Sequence, residues 1–247
     1  MGRVTDGPRY SDEDIAALYN LLNPWGPSDD FYIALVMSED AVLDVGCGTG
    51  MMLHTARDRG HAGRLVGIDP DSAALAVARK QADVTWIEGR AEGLTFVAEF
   101  DLAIMISHAF QFLVSDEEIR RSLVAIRRAL KPGGRFAFET RNPAQRAWVD
   151  WATAEPELIT DRNGRHLLMS YRVTEKVDGV TDLIEVTAEP NGDVLREDHA
   201  SMRFLPNQDL LEHLTASGFE IEAQFGDWDR SPLTTTSREI ITIAQAS

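Results

Sequence analysis

The chain has 247 residues, of which 44% are hydrophobic and 26% charged, and its formal net charge is −16 at pH 7. These proportions are those of a soluble globular protein, so they exclude a disordered or fibrous class and allow one large domain or one domain with an insertion. The negative charge argues against a nucleic-acid partner, because the only clustered basic residues, Arg120, Arg121, Arg127 and Arg128, fit the solvent face of a helix.

The number of cysteines and the hydropathy of the sequence indicate the cellular compartment. Cys47 is the single cysteine, so an internal disulfide is excluded and a reducing compartment is expected. No apolar run approaches the roughly 20 residues that span a bilayer, and the N-terminal segment lacks the apolar core of a signal peptide. We therefore expect a cytoplasmic protein without membrane contact.

The first predicted element is a helix in the segment SDEDIAALYNLL. Ser11 and Asp14 form a capping-box pattern at its start. The apolar residues that recur at helical spacing are Ile15, Leu18, Leu21 and Leu22. The segment NPWGP is expected to end this helix, and we assign residues 1–30 to an N-terminal helical lid.

Short apolar runs alternate with amphipathic stretches over residues 41–140. The predicted strands are AVLDVG, RLVGID, DVTWIEG, FDLAIMIS and GGRFAFET, separated by helices near 50–59, 71–81 and 116–130. The last helix carries a capping-box pattern at Ser115 and Glu118, and the segment KPGG follows it. Strands that are apolar on both faces and separated by helices are typical of a parallel sheet covered on both sides.

The periodicity changes to two over residues 165–205, which predicts a three-stranded antiparallel meander. Asp178-Gly179 and Asn191-Gly192 favour tight hairpin turns within it. A helix over 207–217, closed by Gly218, and the strands FEIEAQFG and REIITIAQ then complete the sheet with one antiparallel strand. The predicted fold class is α/β, with a doubly wound, mostly parallel seven-stranded sheet and an inserted antiparallel β-meander. We assign 31–143 and 206–247 to the core and 144–205 to an inserted substrate or cap subdomain.

The segment LDVGCGTG at residues 43–50 ends the first predicted strand, where ligands bind in open α/β sheets. Glycine-rich loops at such positions often bind phosphate. A dinucleotide fingerprint requires G-x-G-x-x-G, however, and Met51 occupies the sixth position counted from Gly46. This mismatch weakens the interpretation as a dehydrogenase.

The pattern D-x-G-x-G-x-G in this segment resembles motif I of the class I S-adenosylmethionine-dependent methyltransferases. The resemblance implies a Rossmann-like methyltransferase fold that binds S-adenosyl-L-methionine and releases S-adenosyl-L-homocysteine. Glycines would let the backbone approach the cofactor closely, and Asp44 would complement the cationic cofactor, either directly or by ordering the loop amides. The expected cofactor contacts in the loop are Asp44, Gly46, Cys47, Gly48, Thr49 and Gly50.

Three later segments extend this resemblance. Asp69 ends the second strand at the interval where an acidic residue reaches ribose hydroxyls, although it also precedes a helix that it could cap. Pro70 resembles the apolar residue that packs on the adenine. In EGRAEGL, the segment expected at the adenine edge, Arg90 stands where the family often has aspartate. The further cofactor-binding residues expected from the resemblance are Asp69, Pro70, Arg90, Ala91, Glu92 and Ser107.

His108 follows the fourth strand, in the segment that faces the reactive methyl group in the family. It is the predicted catalytic residue, as a general base for a hydroxyl or protonated amine, and an orienting or structural role is the alternative. The predicted substrate-binding residues are Tyr10, Tyr19, Trp25 and Arg141, each with a packing or ion-pairing role as the alternative. Glu139 and Asn142 lie at the same end of the fifth strand as Arg141, and no metal site is predicted.

These observations predict a methyltransferase that transfers a methyl group by in-line displacement to nitrogen or oxygen of a small-molecule acceptor. The alternatives are an RNA or protein methyltransferase, a non-catalytic cofactor-binding or interaction protein and, more distantly, the dehydrogenase. The expected partner is the small-molecule acceptor, with no nucleic acid and no membrane, and the chain is expected to be a monomer or homodimer.

Overall fold

The computed structural model describes residues 10–176 and 178–247, so the part of the predicted lid over residues 1–9 lies outside the described residues. The strands are β1 (Ala41–Val45), β2 (Arg64–Asp69), β3 (Thr85–Glu88), β4 (Phe100–Met105), β5 (Leu130–Arg141), β6 (Glu157–Thr160), β7 (His166–Glu175), β8 (Val180–Ala188), β9 (Val194–Arg203), β10 (Phe219–Phe225) and β11 (Glu239–Ala246). The helices are α1 (Asp12–Leu22), α2 (Pro27–Val36), α3 (Met51–Asp58), α4 (Ser72–Ala78), α5 (Asp116–Ala129), α6 (Ala147–Thr153) and α7 (Asn207–Ala216).

The chain divides into two compact units. The larger contains Trp25–Arg146 and Arg203–Ser247, and the smaller contains Ala147–Met202 with the described residues up to Pro24. No helix among the described residues is long and apolar enough to cross a membrane.

The larger unit is built on a seven-stranded sheet in the order β10-β11-β5-β4-β1-β2-β3. All neighbouring strands are parallel except β11, which is antiparallel to both β5 and β10. The predicted α/β fold class is confirmed. The strand order reverses between β1 and β4, so the carboxyl ends of these two strands mark the crevice where ligands bind in such sheets.

Successive strand residues enter two different apolar clusters, which explains why the strands read as apolar on both faces. Leu43 and Val45 pack in the cluster that contains Leu123 of α5. Val42 packs in the opposite cluster, which contains Tyr32 of α2 and Leu53 of α3. Helices therefore cover both faces of the sheet, as the doubly wound prediction required.

Helix α2 is absent from the sequence prediction, which took NPWGP as the end of a helical region. Pro27 instead occupies the first turn of α2, where its missing N–H costs no hydrogen bond. Asp29 and Asp30 lie in the same turn and complement the positive helix end. Proline therefore begins a helix here as well as ending the preceding one.

The smaller unit contains a four-stranded antiparallel sheet in the order β6-β7-β8-β9, so the prediction of three strands was wrong by one. Strand β6 was missed because it has only four residues and buries only Ile159. The predicted capping box of α1 at Ser11 and Asp14 is present. Leu18 packs beside Ile159 in one cluster, whereas Leu21, expected on the apolar face, is 52% exposed.

Candidate active site

Two loops meet at the point where strand order reverses. The loop Gly46–Gly50 follows β1, and the segment 106–112 follows β4, whose Ile104 is in register with Asp44. A Cβ atom added to Gly46 would lie 3.0 Å from the Cβ of Ala109. The sheet therefore brings together the predicted cofactor loop and the segment that carries His108.

The three loop glycines have different neighbours, although all have positive φ angles. A Cβ on Gly50 would lie 2.5 Å from Cη2 of Trp86, and a Cβ on Gly46 would press on Ala109. Only Gly48 has no atom within 4 Å of such a Cβ. The expectation that the glycines admit a ligand therefore fits Gly48, while Gly46 and Gly50 are required by packing inside the protein.

Asp69 ties the end of β2 to the glycine loop. Its Oδ2 accepts a hydrogen bond of 2.8 Å from the Gly48 amide, and its Oδ1 accepts one of 2.8 Å from the Asp71 amide. Burial raises the pKa of Asp69, and these two hydrogen bonds oppose the shift. The alternative that Asp69 caps the following helix is wrong, because Asp71 accepts the amides of Ala73 and Ala74 at the start of α4.

Asp44 lies beneath the same loop and is completely buried. Within the described part of the chain, neither carboxylate oxygen has a hydrogen-bond partner. Asp44 therefore does not order the loop amides, a role that belongs to Asp69. Burial, with a contribution from the charge of Asp69, raises the pKa of Asp44 to about 8. An orphaned buried carboxyl beside an open glycine backbone fits a ligand that brings positive charge.

The other residues predicted to bind the cofactor fall into a buried and an exposed group. Cys47, Thr49 and Ala91 are buried, whereas Pro70, Arg90 and Ser107 are exposed and Glu92 is half-buried. Burial, followed by the charge of Asp44, raises the pKa of the Cys47 thiol, which keeps it protonated and unreactive. Asp69 is in register with Glu88 of β3, so Pro70 and the 3₁₀ turn that begins at Ala91 follow neighbouring strands.

His108 is held between two carboxyl groups. Its backbone amide donates to Oε1 of Glu139 at 2.7 Å, and its Nδ1 lies 4.0 Å from the same oxygen. Its Nε2 lies 2.9 Å from Oε2 of Glu239. The hydroxyl of Tyr32 donates to the other oxygen of Glu139. Burial raises the pKa values of both Tyr32 and Glu139.

Tyr32 and Glu239 were missed in the sequence analysis, whereas Glu139 was placed at this end of β5. Tyr32 lies in the unpredicted helix α2. Glu239 begins β11, and because β11 runs antiparallel to β5, its first residue pairs with Arg141 at the carboxyl end of β5. The predicted final antiparallel strand could have indicated Glu239. A strand antiparallel to β5 begins at the edge of the sheet where β5 ends, which is the ligand-binding edge.

Aromatic rings and a polar bridge lie around this carboxylate network. The ring of Trp228 is 5.9 Å from those of Phe31 and Tyr32. Gln111 is buried, and its Oε1 accepts hydrogen bonds from the backbone amide and the guanidinium of Arg141. The site therefore combines an aromatic wall with acidic groups at one edge of the sheet.

The residues predicted to bind substrate are divided between the two units. Tyr10 is buried in the smaller unit and donates to Asp161, while Tyr19 is 44% exposed on α1. In the larger unit, the indole of Trp25 donates to Asp30 at 2.8 Å, and Arg141 lies at the carboxyl end of β5. Of the four, the structure places Arg141 beside the His108 network through Gln111.

The described residues contain no group of three or more His, Cys, Asp or Glu side chains arranged to hold a metal ion.

Comparison with known proteins identifies related sequences and folds. Residues 42–134 match the family model described as "Methyltransferase domain". The chain is 25% identical to the cypemycin N-terminal methyltransferase of a Streptomyces species, with coverage of 96% of this chain and 98% of that protein.

Among solved structures, the CcbJ methyltransferase from Streptomyces caelestis has a TM-score of 0.76 at 17% identity and covers 97% of this chain and 99% of its own. CalS10, an amino pentose methyltransferase from Micromonospora echinaspora with S-adenosylmethionine bound, has a TM-score of 0.70 at 21% identity and covers 94% and 96%. Both structures share the fold of this chain.

Proposed function

The chain is a class I S-adenosylmethionine-dependent methyltransferase, and from that premise we propose that it methylates an amine nitrogen of a small-molecule acceptor. A hydroxyl oxygen is the second candidate acceptor atom, because a positioned base serves either group. S-adenosylmethionine supplies the methyl group when bound. The protein residues bind the cofactor, orient the acceptor and remove its proton.

The residues that would hold the cofactor lie at the carboxyl ends of β1, β2 and β3. Gly48 offers an open backbone surface, and Asp44 offers a buried carboxyl without a hydrogen-bond partner among the described residues. Asp69 keeps unused lone pairs on both oxygens for ribose hydroxyls, since each accepts one amide. This donor and acceptor set fits a cationic nucleoside that carries no phosphate.

The observation that carries the proposal for an amine is the Glu239 carboxyl group beside Nε2 of His108. The Glu239 side chain lies 2.9 Å from that nitrogen and is partly exposed, and the chain as a whole carries a net charge of −16. A negative site favours an acceptor that arrives as a cation. The names of two relatives, an N-terminal methyltransferase and an amino pentose methyltransferase, also support an amino acceptor.

A protonated amine must lose a proton before its nitrogen can accept a methyl group. Nε2 of His108 lies at hydrogen-bond distance from the Glu239 carboxylate, an arrangement in which this nitrogen carries the hydrogen. Nδ1 is then the atom that accepts the proton from the acceptor. We also propose that the smaller unit contributes to acceptor choice, since the larger unit contains all of the proposed cofactor residues.

The proposal is tested with matched acceptors that differ in one functional group. Methyl transfer is measured with an amino sugar, its hydroxyl analogue, its N-acetyl derivative and a short peptide with a free N-terminus. We expect the amino sugar to be methylated at least about tenfold faster than the hydroxyl analogue, and the N-acetyl derivative not at all. Preferential methylation of the hydroxyl analogue or of the peptide would contradict the proposed acceptor.

His108→Ala tests the base in the same assay. Its turnover should fall about 10²-fold or more, the usual contribution of a positioned base, while the dissociation constant of S-adenosylmethionine changes less than about threefold. His213→Ala is the matched control, because His213 lies on α7 beside Asp116. Equal turnover in the His108 variant and the control would remove the base role.

A further inference from the structure

The loop after β4 has a backbone conformation that ordinary residues rarely adopt. Ser107 and His108 have φ angles of 56° and 59°, in the left-handed region that favours glycine. Two such residues in succession persist only where their surroundings enforce the conformation. The imidazole of His108 is aimed by this backbone, so the groups that enforce it also determine where the imidazole lies.

Glu139 supplies a hydrogen bond within the strained part of the loop. Its Oε1 accepts the His108 amide at 2.7 Å, and its side chain is only 2% exposed. The neighbouring loop hydrogen bonds, from Ala109 to Ile106 and from Gln111 to His108, are between backbone groups and close the turn locally. Among the described residues, the bond to Glu139 is the hydrogen bond that connects the strained His108 backbone to the adjacent strand β5.

Tyr32 orients the Glu139 carboxyl in turn. Its hydroxyl donates to the oxygen that does not face His108. Tyr32 is itself 1% exposed and is fixed by edge-to-face contacts with Phe31 and Trp228. Each carboxyl oxygen of Glu139 therefore has one hydrogen-bond donor, and the donors come from α2 and from the loop.

We infer that Glu139, oriented by Tyr32, is a positioning residue that holds the loop after β4 in its left-handed conformation and so aims His108 at the acceptor. This inference rests on the proposed function and adds residues to it. The charged and titratable groups around Glu139 are His108, Tyr32 and Glu239. Glu239 differs from Glu139 because it contacts the ring nitrogen of His108 and not its backbone.

Two substitutions at Glu139 separate the hydrogen bond from the charge. Glu139→Ala removes the acceptor of the His108 amide, and kcat should fall at least 30-fold while the acceptor KM and the S-adenosylmethionine dissociation constant stay within threefold. Glu139→Gln keeps an amide oxygen that can accept the same hydrogen bond and should recover most of the lost kcat. The kcat of Tyr32→Phe should lie between those of Glu139→Ala and Glu139→Gln.

Thr140→Val is the control for disturbance of β5, because Thr140 is the next residue, is equally buried and has no side-chain hydrogen bond among the described residues. Its kcat should equal that of the original protein. The double variant His108→Ala/Glu139→Ala should be no slower than His108→Ala, since Glu139 acts through His108. Additive losses in the double variant, or a rise in acceptor KM in Glu139→Ala, would overturn the inference.

Hydrogen exchange of the His108 amide is measured by NMR without an acceptor. It should accelerate at least tenfold in Glu139→Ala and remain unchanged in Thr140→Val. Unchanged exchange in Glu139→Ala would overturn the inference even if an active acceptor is known. If no acceptor is methylated by the original protein, the proposed function fails, and this measurement still decides whether Glu139 holds the loop.

Discussion

At the scale of single residues, the proposed role of Asp44 in ligand binding would come at a cost to the free protein. It is fully buried beneath the glycine loop, and the described residues give its oxygens no hydrogen-bond donor. Its pKa of about 8 means that the group is mostly protonated at neutral pH. A cationic ligand nearby favours the ionised form, so binding and loss of this proton should be coupled.

We expect the affinity for S-adenosylmethionine to increase as pH rises from 6 to 8 and then to level off. The ionised form of Asp44 becomes available over this range, and the gain is at most about tenfold per pH unit. Titration calorimetry in buffers of different ionisation enthalpy should show proton release at pH 7. Because the amino group of the ligand also titrates near pH 8, Asp44→Asn is the control. The same pH dependence in this variant would contradict the prediction.

At the scale of elements, close packing against neighbouring elements constrains the glycine loop. Trp86 of β3 fills the space beside Gly50 and Gly67, and Ala109 fills the space beside Gly46. Two glycines of the D-x-G-x-G-x-G pattern are therefore required by close packing between the loop after β1, strand β3 and the segment after β4. Only the middle glycine faces open space, and it is also the one whose amide is held by Asp69.

Three glycine-to-alanine variants should separate backbone strain, packing and ligand approach. Gly60 has a φ of +88° and no atom within 4 Å of an added Cβ, so Gly60→Ala should lose only about 1–2 kcal/mol of stability. Gly48→Ala should match that loss and also weaken S-adenosylmethionine binding at least about tenfold. Gly50→Ala should lose about 1–3 kcal/mol more, because its Cβ would overlap Trp86. Denaturant unfolding measures the stability, and calorimetry measures the affinity for S-adenosylmethionine. Unchanged affinity in Gly48→Ala would contradict the proposal that the ligand approaches the backbone at Gly48.

At the scale of the molecule, the smaller unit has its own apolar core. Helix α1 contributes Tyr10 and Leu18, which pack in one cluster with Ile159, Leu167 and Met169 of the antiparallel sheet. The cofactor residues proposed above all belong to the larger unit. We therefore expect destabilisation of the smaller unit to raise the acceptor KM and to leave the affinity for the cofactor unchanged.

Leu18→Ala and Leu21→Ala test this division with the same chemical change on one helix. Leu18 is 3% exposed and Leu21 is 52% exposed. The first variant should destabilise the smaller unit by about 2–5 kcal/mol, and the second should change its stability by less than about 0.5 kcal/mol. In steady-state kinetics Leu18→Ala should raise the acceptor KM, with an unchanged cofactor dissociation constant in calorimetry. A weaker cofactor affinity together with an unchanged acceptor KM in Leu18→Ala would contradict the prediction.

The sequence by itself determined the class of fold and the methyl donor. Apolar strands separated by amphipathic helices require a covered parallel sheet, and the capping boxes at Ser11 and Ser115 mark helix starts that the structure confirms. These signals are local, because they depend on periodicity and on hydrogen bonds between residues three positions apart. Short elements such as β6 and a helix that begins with proline were missed because their local signals are weak or ambiguous.

Only the tertiary structure decided which residues surround His108. Glu139 and Glu239 are 31 and 131 positions away from His108, and Tyr32 lies on α2, which periodicity did not reveal. The strand order and the packing of α2 on the sheet bring the three residues together. The different neighbours of the loop glycines have the same origin, since Trp86 of β3 approaches Gly50 and Ala109 of the segment after β4 approaches Gly46. Contacts across a sheet depend on register and crossover, which a one-dimensional pattern does not carry. The D-x-G-x-G-x-G pattern therefore indicates the methyl donor, whereas the proposal for the acceptor depends on a carboxyl group that only the tertiary structure brings to His108.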